Sequence, residues 1–133
     1  MARWSQGNVT LLGDAAHPML PFLSQGAAMA IEDAYVLAQA LDHFGPGKLD
    51  AALDAYEMER RPRTARVQLE ARERGRTYHL ASPEESRARD LAFKEEQARN
   101  PNAVGIKAEW VYQYDARICR DRFDTSPALS AAS

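Results

Sequence analysis

From Gln25 to about Asp42 the chain is apolar on nearly every side. Ala27, Ala28, Met29, Ala30, Ile31, Ala34, Tyr35, Val36, Leu37, Ala38, Ala40 and Leu41 are interrupted only by Glu32, Asp33 and Gln39. The alanines confer high helix propensity and Gly45-Pro46-Gly47 stops the run, so the segment reads as a helix. A helix apolar all round expects burial on most of its faces. The following segment, from Leu49, offers one covering face in Leu49, Ala52, Leu53 and Tyr56 and runs to Arg61. Pro62 is expected to kink or interrupt it. Arg63 to about His79 continues as a polar helix with only Ala65, Val67, Leu69 and Ala71 to bury. Ser82-Pro83-Glu84-Glu85 then has the form of a helix start, with a serine cap, a proline in the first turn and acids near the positive end of the dipole. This helix is expected to last to Arg99, where Asn100-Pro101-Asn102 ends it.

Ahead of the apolar helix, Gly7-Asn8 marks a turn and Val9-Thr10-Leu11-Leu12 suits a short buried strand. One strand cannot satisfy its own backbone, and no second stretch has a convincing β-branched or alternating run. Its partners are therefore expected to come from sequence outside these residues. The strand runs into Gly13-Asp14, which delivers a carboxylate at a strand's carboxyl edge, where nucleotide cofactors bind in α/β sheets. The apolar helix opens just beyond, at Gln25-Gly26-Ala27-Ala28, with residues too small to hold a ring system away.

The chain has 133 residues, 45% of them hydrophobic and 27% charged, with a formal net charge of −2. That balance is ordinary for one soluble domain and argues against a general polyanion binder. The single cysteine, Cys119, excludes an internal disulfide, and without a Cys/His cluster a zinc site is not expected. With no apolar stretch of membrane-spanning length and no apolar signal core after Met1, the expected compartment is the cytoplasm and no membrane contact is expected.

The stretch from Gly13 to Ala34, with Gly13-Asp14-Ala15-Ala16-His17-Pro18 followed by Pro21 and Gln25-Gly26, resembles the second FAD-binding motif of the single-component aromatic flavoprotein hydroxylases. The salicylate hydroxylase and 6-hydroxynicotinate monooxygenase branch is the most similar. Trp110-Val111-Tyr112-Gln113-Tyr114-Asp115 also resembles the end of salicylate-hydroxylase-like chains. The fold class implied is a mainly α fragment of an α/β FAD-binding fold, one short strand followed by three or four helices. Residues 1–43 would form the strand, motif and first helix, 44–80 the proline-interrupted second helix, and 81–133 a helix and tail, disordered beyond Phe123.

The resemblance implies FAD as cofactor, NADH or NADPH as reductant and an aromatic small molecule as substrate. It places Gly13 and Asp14 at the cofactor, with Asp14 accepting a hydrogen bond from a ribityl hydroxyl of FAD. Gln25, Gly26, Ala27 and Ala28 would bring a helix amino end against the pyrimidine side of the flavin. The partial positive charge there, roughly half an electron, suits the charge that reduced flavin gathers. Pro21 would lie near the substrate with its backbone carbonyl facing it. No side chain is assigned a catalytic role, and His17 is read as a structural hydrogen-bonder. In the family a Gly-x-Gly-x-x-Gly turn binds the FAD pyrophosphate, and the seven scattered glycines form no such turn. The expectation is therefore the carboxy-terminal portion of a monooxygenase, inactive alone, partnered by an amino-terminal FAD-binding segment or self-associating.

The residue types leave plainer readings open. Asp14 can cap a turn, Gly26 can be an ordinary cap glycine and Pro21 a rigid loop proline. The alternative function is a non-catalytic helical fragment or pairing subunit, with Trp4, Trp110, Tyr112 and the apolar helix serving association. Arginines 60, 61, 63, 66, 72, 74 and 76 are interleaved with Glu57, Glu59, Glu70 and Glu73, a pattern of a solvated, ion-paired face rather than a nucleic-acid surface.

Overall fold

The computed structural model describes residues 3–100 and 109–123. It opens with a hairpin of β1 (Ser5–Gln6) and β2 (Val9–Thr10), paired antiparallel with Ser5 opposite Thr10 and Gln6 opposite Val9. Two 3-10 turns follow, Gly13–Ala15 and Pro21–Leu23. The helices are α1 (Gly26–Phe44), α2 (Leu49–Tyr78), α3 (Pro83–Arg99), α4 (Glu109–Tyr112) and α5 (Arg120–Phe123), with a 3-10 turn at Ala116–Ile118 between the last two. The mainly helical fold agrees with the composition of the sequence.

The strand finds its partner nearby. Gly7, at φ +55°, lets the chain reverse, so Ser5 and Gln6 supply the pairing that the sequence reading sought elsewhere. The Ser5 and Thr10 hydroxyls lie 2.8 Å apart, and Leu11 N–H donates to Trp4 O at 3.1 Å. Neither strand residue on the first side is β-branched or apolar; the turn and side-chain pairing make the hairpin.

Helices α1 and α2 pack as an antiparallel pair over two adjoining cores. One gathers Trp4, Val36, Ala40, Ala52, Tyr56 and Phe123, the other Leu23, Met29, Val67 and Ala71. Along α1 the buried positions are Met29, Asp33, Val36 and Ala40, a single stripe of spacing four, three and four. The expectation of burial on most faces is not met within the described residues: Ile31 is 71% exposed, and Tyr35 and Leu41 stand out beside it.

Pro62 does not interrupt α2, which is one helix of 30 residues. The proline sits on its exposed side, while Arg60, Arg63 and Thr64 around it are buried and bonded. Those bonds hold the helix through the position where propensity would break it. Helix α3 starts as read, with the Ser82 hydroxyl accepting from Glu84 N–H and Glu85 N–H, and no residue of α3 is buried. Trp4, which the alternative of a pairing subunit assigned to association, is 7% exposed and belongs to the core. The expected disorder beyond Phe123 and the Pro101-Asn102 part of the stop signal lie outside the described residues.

Candidate functional site

The loop from Gly13 to Gln25 joins the hairpin to α1 and is shaped from its first residue. Gly13 has φ +59°, and a Cβ there would stand 3.2 Å from the Cβ of Ala30 on α1. A side chain is excluded on both counts. Gly13 O accepts from Ala16 N–H and His17 N–H, each at 2.9 Å, closing a tight turn that lifts Asp14 outward. Asp14 is exposed and makes no hydrogen bond among the described residues.

That carboxylate hangs beside the amino end of α1. A Cβ on Gly26 would lie 3.8 Å from Asp14 Oδ1 and 3.9 Å from Met19 Cγ, so the glycine sits in ordinary contact beneath these two side chains. Gln25 is the cap residue, but its side chain makes no capping bond and no acid occupies the first turn of α1. The N–H groups of Gly26, Ala27 and Ala28 thus face outward without a side-chain acceptor, beneath methyl groups at most. The structure brings Gly13, Asp14, Gln25, Gly26, Ala27 and Ala28 together at one place. It offers a charged acceptor and a row of backbone donors on a partly positive helix end, the equipment for a ligand with hydroxyls and a polar ring edge.

Pro21 stands farther along the loop, exposed, as the first residue of a 3-10 turn. Its carbonyl accepts Ser24 N–H at 2.9 Å, which closes the 3-10 turn. The exposed ring is what the loop presents.

Beneath this surface lies a charge network that the sequence reading missed. Asp33, fully buried on α1, accepts Gly13 N–H at 3.1 Å and lies 2.5 Å from His17 Nε2 through Oδ2, while Oδ1 accepts Arg60 Nε–H at 2.7 Å. Arg60, also fully buried, makes a second ion pair with Glu32 at 2.8 Å. Arg63 grips both oxygens of Glu32 at 2.7 Å each and donates to Val111 O at 2.8 Å. Its guanidinium stacks 4.1 Å over the Tyr114 ring, and that of Arg66 lies 3.7 Å over Trp110.

Burial alone would raise the Asp33 pKa, but the bonds from His17 and Arg60, the Arg60 charge and the Gly13 amide outweigh it and hold the carboxyl below its ordinary range. Burial likewise disfavours the Arg60 cation, yet its bond to Asp33 and the surrounding acids raise its pKa. The arginine series is therefore not one solvated face: Arg60 and Arg63 are internal, and only members such as Arg66, Arg72 and Arg76 lie outside. His17, 1% exposed, is a strut between the loop and α1. The available signal was an aspartate in register with Met29 and Val36 on an otherwise apolar stripe; a buried acid at such a position requires a cation.

Comparison with known proteins bears on this arrangement. A family model described as "FAD binding domain" matches residues 1–71. The chain belongs to that family. It is 44% identical over 115 residues to a 3-amino-4-hydroxybenzoate 2-monooxygenase of Streptomyces platensis, a match covering 85% of this chain and 27% of that protein. It is 39% identical over 119 residues to a 3-hydroxybenzoate 6-hydroxylase of Polaromonas naphthalenivorans (strain CJ2), covering 90% of this chain and 28% of the relative. A solved salicylate hydroxylase in complex with substrate superposes with a TM-score of 0.67 at 32% identity, over 97% of this chain and 30% of that one. The chain thus spans less than a third of the length of these relatives. Among the described residues no helix is long and apolar enough to cross a membrane.

Proposed function

We propose that this chain is the carboxy-terminal portion of an FAD- and NAD(P)H-dependent monooxygenase that hydroxylates an aromatic compound, and that its motif loop holds the flavin. The observation that carries this reading is the placement of an unbonded Asp14 carboxylate beside the uncapped amino end of α1. The residues present fit the group: the carboxylate is an acceptor for a ribityl hydroxyl, and Gly26, Ala27 and Ala28 put no side chain larger than a methyl group over the backbone donors of the helix end. When bound, FAD supplies the electron transfer and oxygen chemistry. This chain's residues bind and orient it. The amides of Gly26, Ala27 and Ala28 meet the pyrimidine edge and favour negative charge there, while Gly13 and His17 hold the Asp14 turn against α1. Pro21 lines the side of the aromatic substrate.

On this reading the pyrophosphate turn comes from sequence outside these 133 residues, and the chain alone binds FAD weakly and oxidises no NADH. The test joins the chain, by fusion or co-expression, to the amino-terminal segment of a relative. The product should be yellow, and Asp14→Ala should weaken FAD binding by about 10- to 150-fold, the equivalent of ~1.5–3 kcal/mol for a bond to a charged acceptor. Unchanged affinity in that variant would remove the ribityl assignment. A calorimetric titration of the chain alone with FAD gives the complementary check. Micromolar binding with substrate-stimulated NADH oxidation would show a self-sufficient enzyme.

A second reading, a non-catalytic pairing subunit, is favoured by the exposed apolar stripe of Ile31, Tyr35 and Leu41 on α1. Sedimentation of the chain separates the two: concentration-dependent association abolished by Ile31→Glu, with no FAD binding even in the complemented protein, supports pairing alone.

A further inference from the structure

Gly75 lies buried near the end of α2 with ordinary helical backbone, so its own conformation does not call for glycine. A neighbour does. A Cβ at Gly75 would stand 2.5 Å from Cε2 and 2.8 Å from Cδ2 of Phe22. The Phe22 ring is hemmed in: Tyr78 meets it edge-on with centroids 5.9 Å apart, and His79 does so at 5.4 Å. His79 is tied down in turn, since its backbone N–H donates to Gly75 O at 3.1 Å and its Nδ1 lies 2.8 Å from the same oxygen.

Phe22 is the middle residue of the turn that begins at Pro21. Its neighbour Leu23 is buried with Val67 and Ala71 of α2, and Gln68 Nε2 donates to Pro18 O at 2.8 Å. Helix α2 therefore grips the loop at its start, at Leu23 and at its tip. Only the contact at the tip depends on a missing side chain.

We propose that Gly75 is a socket for the Phe22 ring, and that the seated ring fixes where Pro21 stands against the aromatic substrate. Gly75 and Phe22 are thus positioning residues for the substrate. This rests on the reading that Pro21 faces the substrate, and the experiment separates the two.

Thermal melting of the full chain with Gly75→Ala, Phe22→Ala and both together forms a cycle whose sign is decisive. Alanine is the better helix former, so with the ring removed Gly75→Ala should raise the Tm. With Phe22 in place it should lower the Tm. A rise in both backgrounds would overturn the socket. Should Gly75→Ala fail to fold, Phe22→Leu keeps the proposal exposed, since it empties the socket without adding an atom at position 75. In the FAD-loaded complemented protein, Phe22→Leu should raise KM for a hydroxybenzoate about tenfold with FAD affinity unchanged, the scale of a small misplacement of a bound ring. Unchanged KM in Phe22→Leu while Pro21→Ala moves it overturns the positioning role alone. Unchanged KM in both variants shows that Pro21 does not face the substrate.

Discussion

Replacing Asp33 by asparagine keeps the shape of the side chain and removes its charge, which isolates what the buried carboxylate does. Three bonds end on it, from Gly13 N–H, His17 Nε2 and Arg60 Nε, and both Asp33 and Arg60 are fully buried. Breaking a buried pair by neutralising one partner costs about 3–5 kcal/mol, because the other charge is stranded. Glu32 remains 2.8 Å from Arg60, so the loss should fall near the lower end, ~3 kcal/mol. Against a domain stability of roughly 5–15 kcal/mol this is a large fraction. With a urea slope of about 1–3 kcal/mol/M, the midpoint followed by circular dichroism should drop by about 1–3 M. Asp54→Asn is the control. Its pair with Arg3 is largely exposed and should be worth less than about 1 kcal/mol. If Asp33→Asn costs no more than Asp54→Asn, the buried network is not what fixes the loop to α1.

The same carboxylate sets the acid limb. Because the Asp33 pKa is lowered in the folded chain from the ordinary 3.8, its contribution is complete above that value and is lost as pH falls through the folded one; Asp33→Asn should flatten stability against pH in that acid range. Gly13→Ala should destabilise by about 1–3 kcal/mol, since it places a Cβ at positive φ against Ala30, and a urea melt within a few tenths of wild type would contradict the geometry. Ser82→Ala should cost about 1 kcal/mol of α3 stability, read as faster amide exchange at Glu84 and Glu85 with α1 and α2 unaffected. Cys119 is buried, and burial pushes its thiol pKa up, so a thiol reagent should label it slowly in the native chain and fast in urea.

What the sequence made legible depended on whether the cause was local. The Ser82 cap, the Gly45 stop and the alanine-rich α1 follow from groups within a turn of one another, and the motif around Asp14 carries its own turn. Ser5–Gln6 was invisible as a strand because neither residue favours one; its pairing comes from Gly7 and from Glu57, whose Oε2 accepts Ser5 N–H at 3.1 Å from 52 positions away. Pro62 misled because intrinsic propensity was set against bonds reaching Arg60 and Arg63 from α1 and from Val111. Asp33 and Arg60 lie 27 positions apart and look like two solvated charges until the helices are placed side by side.

The arginine and aromatic seam at the tail has a consequence for the order in which the chain is made. Arg63 is buried, yet Val111 O and the Tyr114 ring arrive 48 or more positions later, and Glu59 waits still longer for Arg122. A nascent chain whose α1 and α2 have already left the ribosome holds Arg63 through Glu32 alone, with the guanidinium still in contact with water. Docking of the last described residues, 109–123, removes that water. The helical pair should therefore lock only once residues 109–123 have docked, and chains that stop before Trp110 should remain open to protease at α2 while those that include Phe123 resist it.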